Sequence, residues 1–376
     1  MSGSDHGAKM LHKIINVTVR DVRFPTSLEQ HGSDAMHTDP DYSVAYVLVD
    51  TDSGLKGFGF TFTLGKGTEI GKIYSEKLMS AFSLHNRSLH SLTALLKCTS
   101  QLFITCVGCF FSLPEDQMLK EGYPAYTTSC AWLGYSDQQL QQLCTDALDN
   151  GWTKFKVKVG ADLEDDKRRC RLIRQMIGPS NTLMIDANQR WDVAEAICWV
   201  SSLAEFKPLW IEEPTSPDDI LGHAAISKAL APFGIGVATG EQCHNRVMFK
   251  QFLQASALQF LQIDSCRLGS VNENLAVLLM AHKFKVPVCP HAGGVGLCEL
   301  VQHLILFDYI CVSASLHNRM CEYVDHLHEH FTSPVVIRNA HYMPPKDPGY
   351  SCEMLELSVK RHSYPEGEVW KLHMKK

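Results

Sequence analysis

Three acidic residues close three short apolar runs in the second half of the chain. Asp186 follows Leu183–Ile185, Glu212 follows Leu209–Ile211, and Glu241 follows Gly236–Gly240. The intervals are 26 residues (212 − 186) and 29 residues (241 − 212). A strand with its returning helix takes about 30 residues, so each acid occupies the same phase of a repeating unit. Repetition brings the strand tips to one mouth. Three carboxylates gathered there repel one another unless a hard cation holds them, and Mg²⁺ is the usual ion for oxygen ligands. Asp186, Glu212 and Glu241 are therefore the candidate ligands of one Mg²⁺.

The other strand ends carry complementary groups. Lys156 and Lys158 flank Val157 and share one face of a strand, because side chains alternate. Two adjoining ammonium groups near a metal disfavour each other's charge. That is expected to lower the pKa of one amine until it acts as a base, while the other stays cationic and holds a substrate carboxylate. Asp264 and His291 end consecutive strands, 27 residues apart (291 − 264). A carboxylate beside an imidazole fixes its tautomer and favours its protonated form, which makes an acid. Glu322 completes the series. Pro290 before His291, and Gly293, Gly294 and Gly296 after it, indicate a sharply turned loop with close backbone approach. The set suits removal of a proton next to a carboxylate, where a divalent ion and a lysine neutralise the enediolate charge as it develops. The intermediate is then reprotonated or expels a β-hydroxyl.

Strand-like runs at 125–130, 154–159, 182–187, 209–213, 235–239, 258–264, 286–290 and 308–314 position these residues, with helix-like segments between them. Ser136 or Asp137 is placed to cap the first helix. Strands alternating with helices over roughly 200 residues predict a parallel α/β barrel of the (β/α)7β, TIM-like type. An open doubly wound sheet is the rival, but no Gly-rich phosphate loop follows the first strand. Residues 13–62 alternate like antiparallel strands, with a long polar loop from Thr26 to Tyr42, and long ordered loops are often functional. The expected division is an α+β capping domain at 1–117, the barrel at 118–335, and a segment at 336–376 that packs back on the capping domain.

Bulk properties narrow the function. The 376 residues are 45% hydrophobic and 20% charged, enough for a large core, and the net charge of −6 with no basic block excludes nucleic acid as a partner. The 14 cysteines are scattered through strand-like and helix-like runs, which fits free thiols in a reducing compartment. No membrane span is expected, because Leu102 to Leu113 falls short of the roughly 18 apolar residues required. Met1 to Lys9 contains Asp5 and no Arg, unlike a transit or signal peptide. Cys106 and Cys109 form a CxxC without a second metal pair and read as accidental. His326 and His330, four residues apart, read as an exposed helix face and not as a zinc site, because no HExxH glutamate accompanies them.

Taken together the motifs resemble the enolase superfamily, in its mandelate-racemase-like branch and among the L-fuconate dehydratases of that branch. The carrying segments are Tyr123–Ser129, Lys156–Lys158, Asp186–Trp191, Trp210–Thr215, Thr239–Glu241, Gln262–Asp264 and Pro290–Gly296. The resemblance implies a hydro-lyase with Mg²⁺ on Asp186, Glu212 and Glu241. It implies that Lys158 takes the C2 proton of an acid sugar and that His291, oriented by Asp264, helps the 3-hydroxyl leave. Lys156 would contact the carboxylate. Glu322 would bond the enediolate oxygen, either protonated or through its neighbours. Gly32, Ser33, Asp34, Tyr42 and Asn188 would contact substrate, the first four from the capping loop. The product would be a 2-keto-3-deoxy acid. A racemase or cycloisomerase on the same scaffold, and a catalytically silent variant, are the alternatives. The expected partner is a small-molecule acid sugar, in a chain compatible with a homo-oligomer, and the resemblance points to mitochondria, with the cytoplasm as the alternative. Residues 70–117 are shorter than the helical segment that covers the mouth in relatives and do not match it.

Overall fold

In the computed structural model, residues 13–73, 77 and 112–374 are described. The sequence readings on the rest of 70–117, including the Cys106/Cys109 pair, lie outside the described residues.

Alternating apolar residues make the first sheet. Strand β1 (Ile14–Arg23) pairs antiparallel with β2 (Ser43–Thr51), and β2 with β3 (Lys56–Thr63). Val19, Val22, Val44, Tyr46 and Phe62 are buried. The loop between β1 and β2 opens with one 3-10 turn, Thr26–Glu29. The C-terminal segment meets this sheet. Val22 bridges Ser363, the Tyr364 amide donates to the Asp21 carbonyl at 2.9 Å, and Trp370 Nε1 donates to the Arg23 carbonyl at 2.9 Å.

The second sheet is the predicted barrel. Parallel strands β4 (Tyr123–Thr127), β5 (Lys154–Lys158), β6 (Thr182–Asp186), β7 (Trp210–Glu212), β8 (Gly236–Thr239) and β9 (Phe260–Leu261) are neighbours in chain order. Leu261 bridges Val288 in parallel, and the Glu322 amide donates to the Pro290 carbonyl at 3.1 Å. Strand β10 (Cys321–Tyr323) pairs with β4 and closes the ring. A hairpin, β11 (Val336–Arg338) and β12 (His341–Met343), pairs antiparallel with the start of β4. The final segment thus joins the barrel edge before it reaches the capping sheet.

Period-two alternation sorts the barrel's side chains. Phe155, Val157, Leu183, Ile185 and Ile211 belong to the core beneath the helices, whereas Tyr126, Met184, Trp210, Ala238 and Phe260 form a separate cluster inside the ring. Lys156, Lys158, Asp186 and Glu212 share the phase of that inner set. Helix starts explain several other polar residues after strands. Ser136, Asp162, Asp192, Asp219 and Asn245 each accept a first-turn amide of the next helix.

Three sequence expectations fail. Residues 286–290 form no strand, only the single bridge at Val288. Residues 308–314 are not a strand. The helix Leu297–Phe307 runs directly into a wider helical turn, Asp308–Ser313. The apolar run Tyr309–Val312 has strand composition, but no glycine or proline interrupts the chain before it, and Arg319 pairs with Asp308 in the interior. The closing strand is the three-residue β10, too short to show a period. The stretch around His326 and His330 is not an exposed helix. Only His328–His330 forms a 3-10 turn, and the His326 ring packs at 5.1 Å from His31 and 5.5 Å from Tyr42.

Candidate active site

The short strands end in one polar cluster. Lys156, fully buried on β5, places Nζ 2.5 Å from Glu212 Oε1, 2.7 Å from Glu322 Oε1 and 3.3 Å from Asp186 Oδ2. Lys158 places Nζ 2.6 Å from Asp186 Oδ2 and 3.0 Å from Asn188 Oδ1. Glu212 Oε2 accepts from Trp210 Nε1 at 3.1 Å. Arg267 Nη1 donates to Glu241 Oε1 at 3.0 Å and lies 3.7 Å from Asp264 Oδ2. Asp264 Oδ2 sits 2.7 Å from His291 Nδ1, while Oδ1 accepts the amides of Cys266 and Arg267. The opposite nitrogen of His291 lies 3.6 Å from Glu241 Oε2 and 3.8 Å from Glu322 Oε2.

A cavity of about 430 Å³, counting solvent at its mouth, opens above this cluster. Lys158, Asn188, Glu241, His291 and Glu322 line it from the barrel, and Gly32, Asp34 and Tyr42 line it from the β1–β2 loop. Lys156, Asp186, Glu212 and Asp264 lie beneath this lining layer. Ser33 is not among the lining residues. Its hydroxyl donates to the Thr38 carbonyl at 3.0 Å and its own carbonyl accepts from the Leu133 amide at 3.0 Å. Asp34 spends Oδ1 on the amides of Met36 and His37 and turns Oδ2 toward His37 Nδ1 at 3.3 Å. Gly32 has φ +80, and a Cβ there would stand 2.4 Å from the Tyr42 hydroxyl.

The carboxylates around the two lysines favour their charged forms. Burial opposes the charge on Lys156, but Glu212 and Glu322 hold its pKa well above the ordinary value. Burial also opposes the charge on Lys158, where Asp186 outweighs both that and the neighbouring Lys156, and the pKa is raised. Glu322 is ionised: burial pushes its pKa up, but Lys156, His291 and Lys158 bring it far below the ordinary range. Its Oε2 accepts the amides of Ala292 and Gly293 at 2.9 and 3.0 Å. Any hydrogen bond it offers to substrate is therefore delivered through Lys156 and the 290s loop. His291 has a raised pKa, with burial opposed by Glu241, Asp264 and Glu322.

The carboxylates outnumber the cations. Asp186, Glu212, Glu213, Glu241, Asp264 and Glu322 are buried together, facing the permanent charges of Lys156, Lys158 and Arg267. Glu212 shows the excess. Burial raises its pKa to about 8 despite Lys156, and Asp186, Glu322 and Glu241 push the same way. A divalent cation fits this deficit in charge and in donor chemistry. Among the described residues, no three acidic, His or Cys side chains already stand as a closed metal cluster. Lys156 occupies the place between Asp186 and Glu212, and Glu241 turns toward Arg267, so ligation requires those two side chains to shift.

Trp132, Arg267, His37 and Gln242 also line the cavity and were not singled out from sequence. Arg267 follows Asp264 by three residues in the same turn. Trp132 follows β4, the one strand whose tip supplied no candidate.

The barrel residues of the site, from Lys156 to Glu322, lie within a region that matches a protein family. Residues 139–358 match the family described as Enolase C-terminal domain-like. The crystal structure of human mitochondrial enolase superfamily member 1 superposes with a TM-score of 0.91 at 57% identity, covering 98% of this chain and 100% of that one. L-galactonate dehydratase of Hypocrea jecorina is 43% identical, covering 93% of this chain and 94% of that protein. A racemase from Streptomyces coelicolor A3(2), solved with bound magnesium, is 25% identical with a TM-score of 0.71, covering 93% of this chain and 100% of that one. The alignment to the Hypocrea protein spans 426 positions against 376 residues here, so at least 50 positions (426 − 376) face no residue of this chain.

Proposed function

The chain belongs to the enolase superfamily, and from that premise we propose that it is a Mg²⁺-dependent acid-sugar dehydratase converting L-fuconate to 2-keto-3-deoxy-L-fuconate. One observation carries the reading. A lysine amine and a carboxylate-paired imidazole, Lys158 and His291, line one cavity. The relation to L-galactonate dehydratase supports dehydration over racemisation, and supports a six-carbon acid sugar as substrate.

Asp186, Glu212 and Glu241 would hold Mg²⁺. Bound there, the ion would supply positive charge that offsets the enediolate. Lys158, once deprotonated, accepts the proton from C2. Lys156 and the amide-anchored Glu322 flank the oxygens where charge develops. His291 gives its proton to the 3-hydroxyl, the C3–O bond breaks, and water leaves. The resulting enol tautomerises to the 2-keto acid. Asp264 keeps the imidazole oriented throughout. Asp34 and Tyr42 face the remaining hydroxyls from the capping loop, with Gly32 giving Tyr42 room.

The name of the human relative supports a mitochondrial location for this chain, testable by fractionation of tagged protein. No helix among the described residues is long and apolar enough to cross a membrane. The enzymatic test is product formation from a panel of acid sugars, read as 2-keto acid, with the Lys158→Ala chain as control. A folded chain that converts no member of the panel would favour the silent alternative.

A further inference from the structure

Trp132 lies between β4 and the following helix, on the tip that contributed nothing to the site as read from sequence. Its side chain is 2% exposed and lines the cavity. Among the described residues the indole Nε1–H has no acceptor. Buried donors almost always have partners, and an indole can only donate. The Lys158 ammonium lies 5.5 Å from the ring centroid, within cation–π range.

The backbone holds this residue in place. The carbonyls of Ala131 and Trp132 both accept from Arg169 Nη2 at 3.0 Å, and the Ala131 carbonyl also accepts the Lys158 amide at 3.2 Å. The next residue donates its amide to Ser33 in the capping loop at 3.0 Å. Trp132 is therefore fixed by the barrel on one side and by the capping loop on the other.

We propose that Trp132 is a substrate-binding residue whose indole N–H donates to an oxygen of the acid sugar while its ring carries the amine of Lys158. The oxygen belongs to the carboxylate or to a hydroxyl next to C2, since the amine that takes the C2 proton lies over the same ring. This rests on the dehydratase reading above and adds a recognition residue to it.

The test compares the wild-type chain with Trp132→Phe, which keeps an aromatic face and removes the donor. Loss of one hydrogen bond to substrate is expected to raise KM about tenfold with kcat within about threefold. A second measurement does not depend on turnover. In ¹⁵N-labelled His291→Asn protein, the Trp132 indole N–H resonance, identified by its loss in the Trp132→Phe double variant, should move downfield when L-fuconate and Mg²⁺ are added. An unchanged KM, an unmoved resonance under saturating ligand, or parallel loss of kcat and melting temperature would overturn the assignment. If the wild-type chain neither binds nor converts any acid sugar, the dehydratase reading fails and this proposal fails with it. Conversion by wild type with an indifferent Trp132→Phe chain rejects the proposal alone.

Discussion

The Lys156 ammonium stands 2.5 Å from Glu212 Oε1, inside the ring and out of contact with solvent. The same ammonium serves Glu322 and Asp186. Asp186 has Lys158 as a second cation and Glu322 has His291 nearby, so Glu212 is the carboxylate of the three that ionises only at a cost. The pKa of Glu212, raised to about 8 chiefly by burial, records that cost.

Cation uptake should therefore release a proton. Below about pH 8 Glu212 carries a proton in the metal-free chain, and ligation requires the carboxylate, so Mg²⁺ affinity should rise with pH up to about 8 and level off above it. Calorimetry at pH 7 in two buffers of different ionisation enthalpy measures the proton count. At a hundredfold excess over Kd, Mg²⁺ should stabilise the fold by about 2.7 kcal/mol, seen as a higher melting temperature. Glu212→Gln should abolish most of that rise. A pH-independent affinity would remove Glu212 from the ligand set.

His291 should act as an acid. Its pKa is raised, so it stays protonated above the ordinary imidazole range and loses the proton as pH climbs through the raised value. The descending limb of kcat is expected on that side. Asp264→Asn should move the limb to lower pH, because the carboxylate 2.7 Å away no longer supports the charge. His291→Asn should cost about 10²–10⁴ in kcat, the range for loss of a general acid. An unaltered pH profile in Asp264→Asn would show that the pair does not work as a unit.

Gly240 sets the approach to Glu241. Its φ is +133, and a Cβ would stand 2.4 Å from the Gln262 backbone carbonyl and 2.6 Å from the Phe249 ring. Gly240→Ala should destabilise the chain by about 3 kcal/mol, combining strained backbone with overpacking. Denaturant unfolding measures it. A loss below about 0.5 kcal/mol, the size of an ordinary surface substitution, would mean the turn has slack.

Gly32 makes a separable prediction for the capping loop. Gly32→Ala displaces the Tyr42 hydroxyl without touching Lys158 or His291. KM for the acid sugar should rise by about tenfold while kcat changes less, as expected where binding is lost without loss at the reacting atoms. Equal losses in kcat and kcat/KM would place this loop in the chemistry itself.

Much of the fold was legible because β5 to β8 repeat one pattern at nearly equal intervals. Lys156 and Lys158, Asp186, and Glu212 all fall on the inward phase of their strands, where alternation puts them. Glu322 was found although its strand was misplaced. Motif position outlasted the strand assignment, since three residues cannot display a period and the apolar run at 309–312 could. The charge state of the lysines was not legible. Sequence shows that Lys156 has a neighbouring lysine, but it does not show three carboxylates from β6, β7 and β10 closing around one ammonium. Trp132 escaped for a similar reason. Its chemistry lies in a donor that finds no partner, and that requires the surroundings to be known.

Conversion of L-fuconate by the purified chain is the most direct measurement. The reaction is followed as 2-keto acid, with Mg²⁺, with the ion chelated, and with Lys158→Ala. The expected result is stoichiometric 2-keto-3-deoxy-L-fuconate only when Mg²⁺ and Lys158 are both present. Product that persists in the chelated sample or in Lys158→Ala, or no product from folded Mg²⁺-loaded protein, would contradict the assigned chemistry.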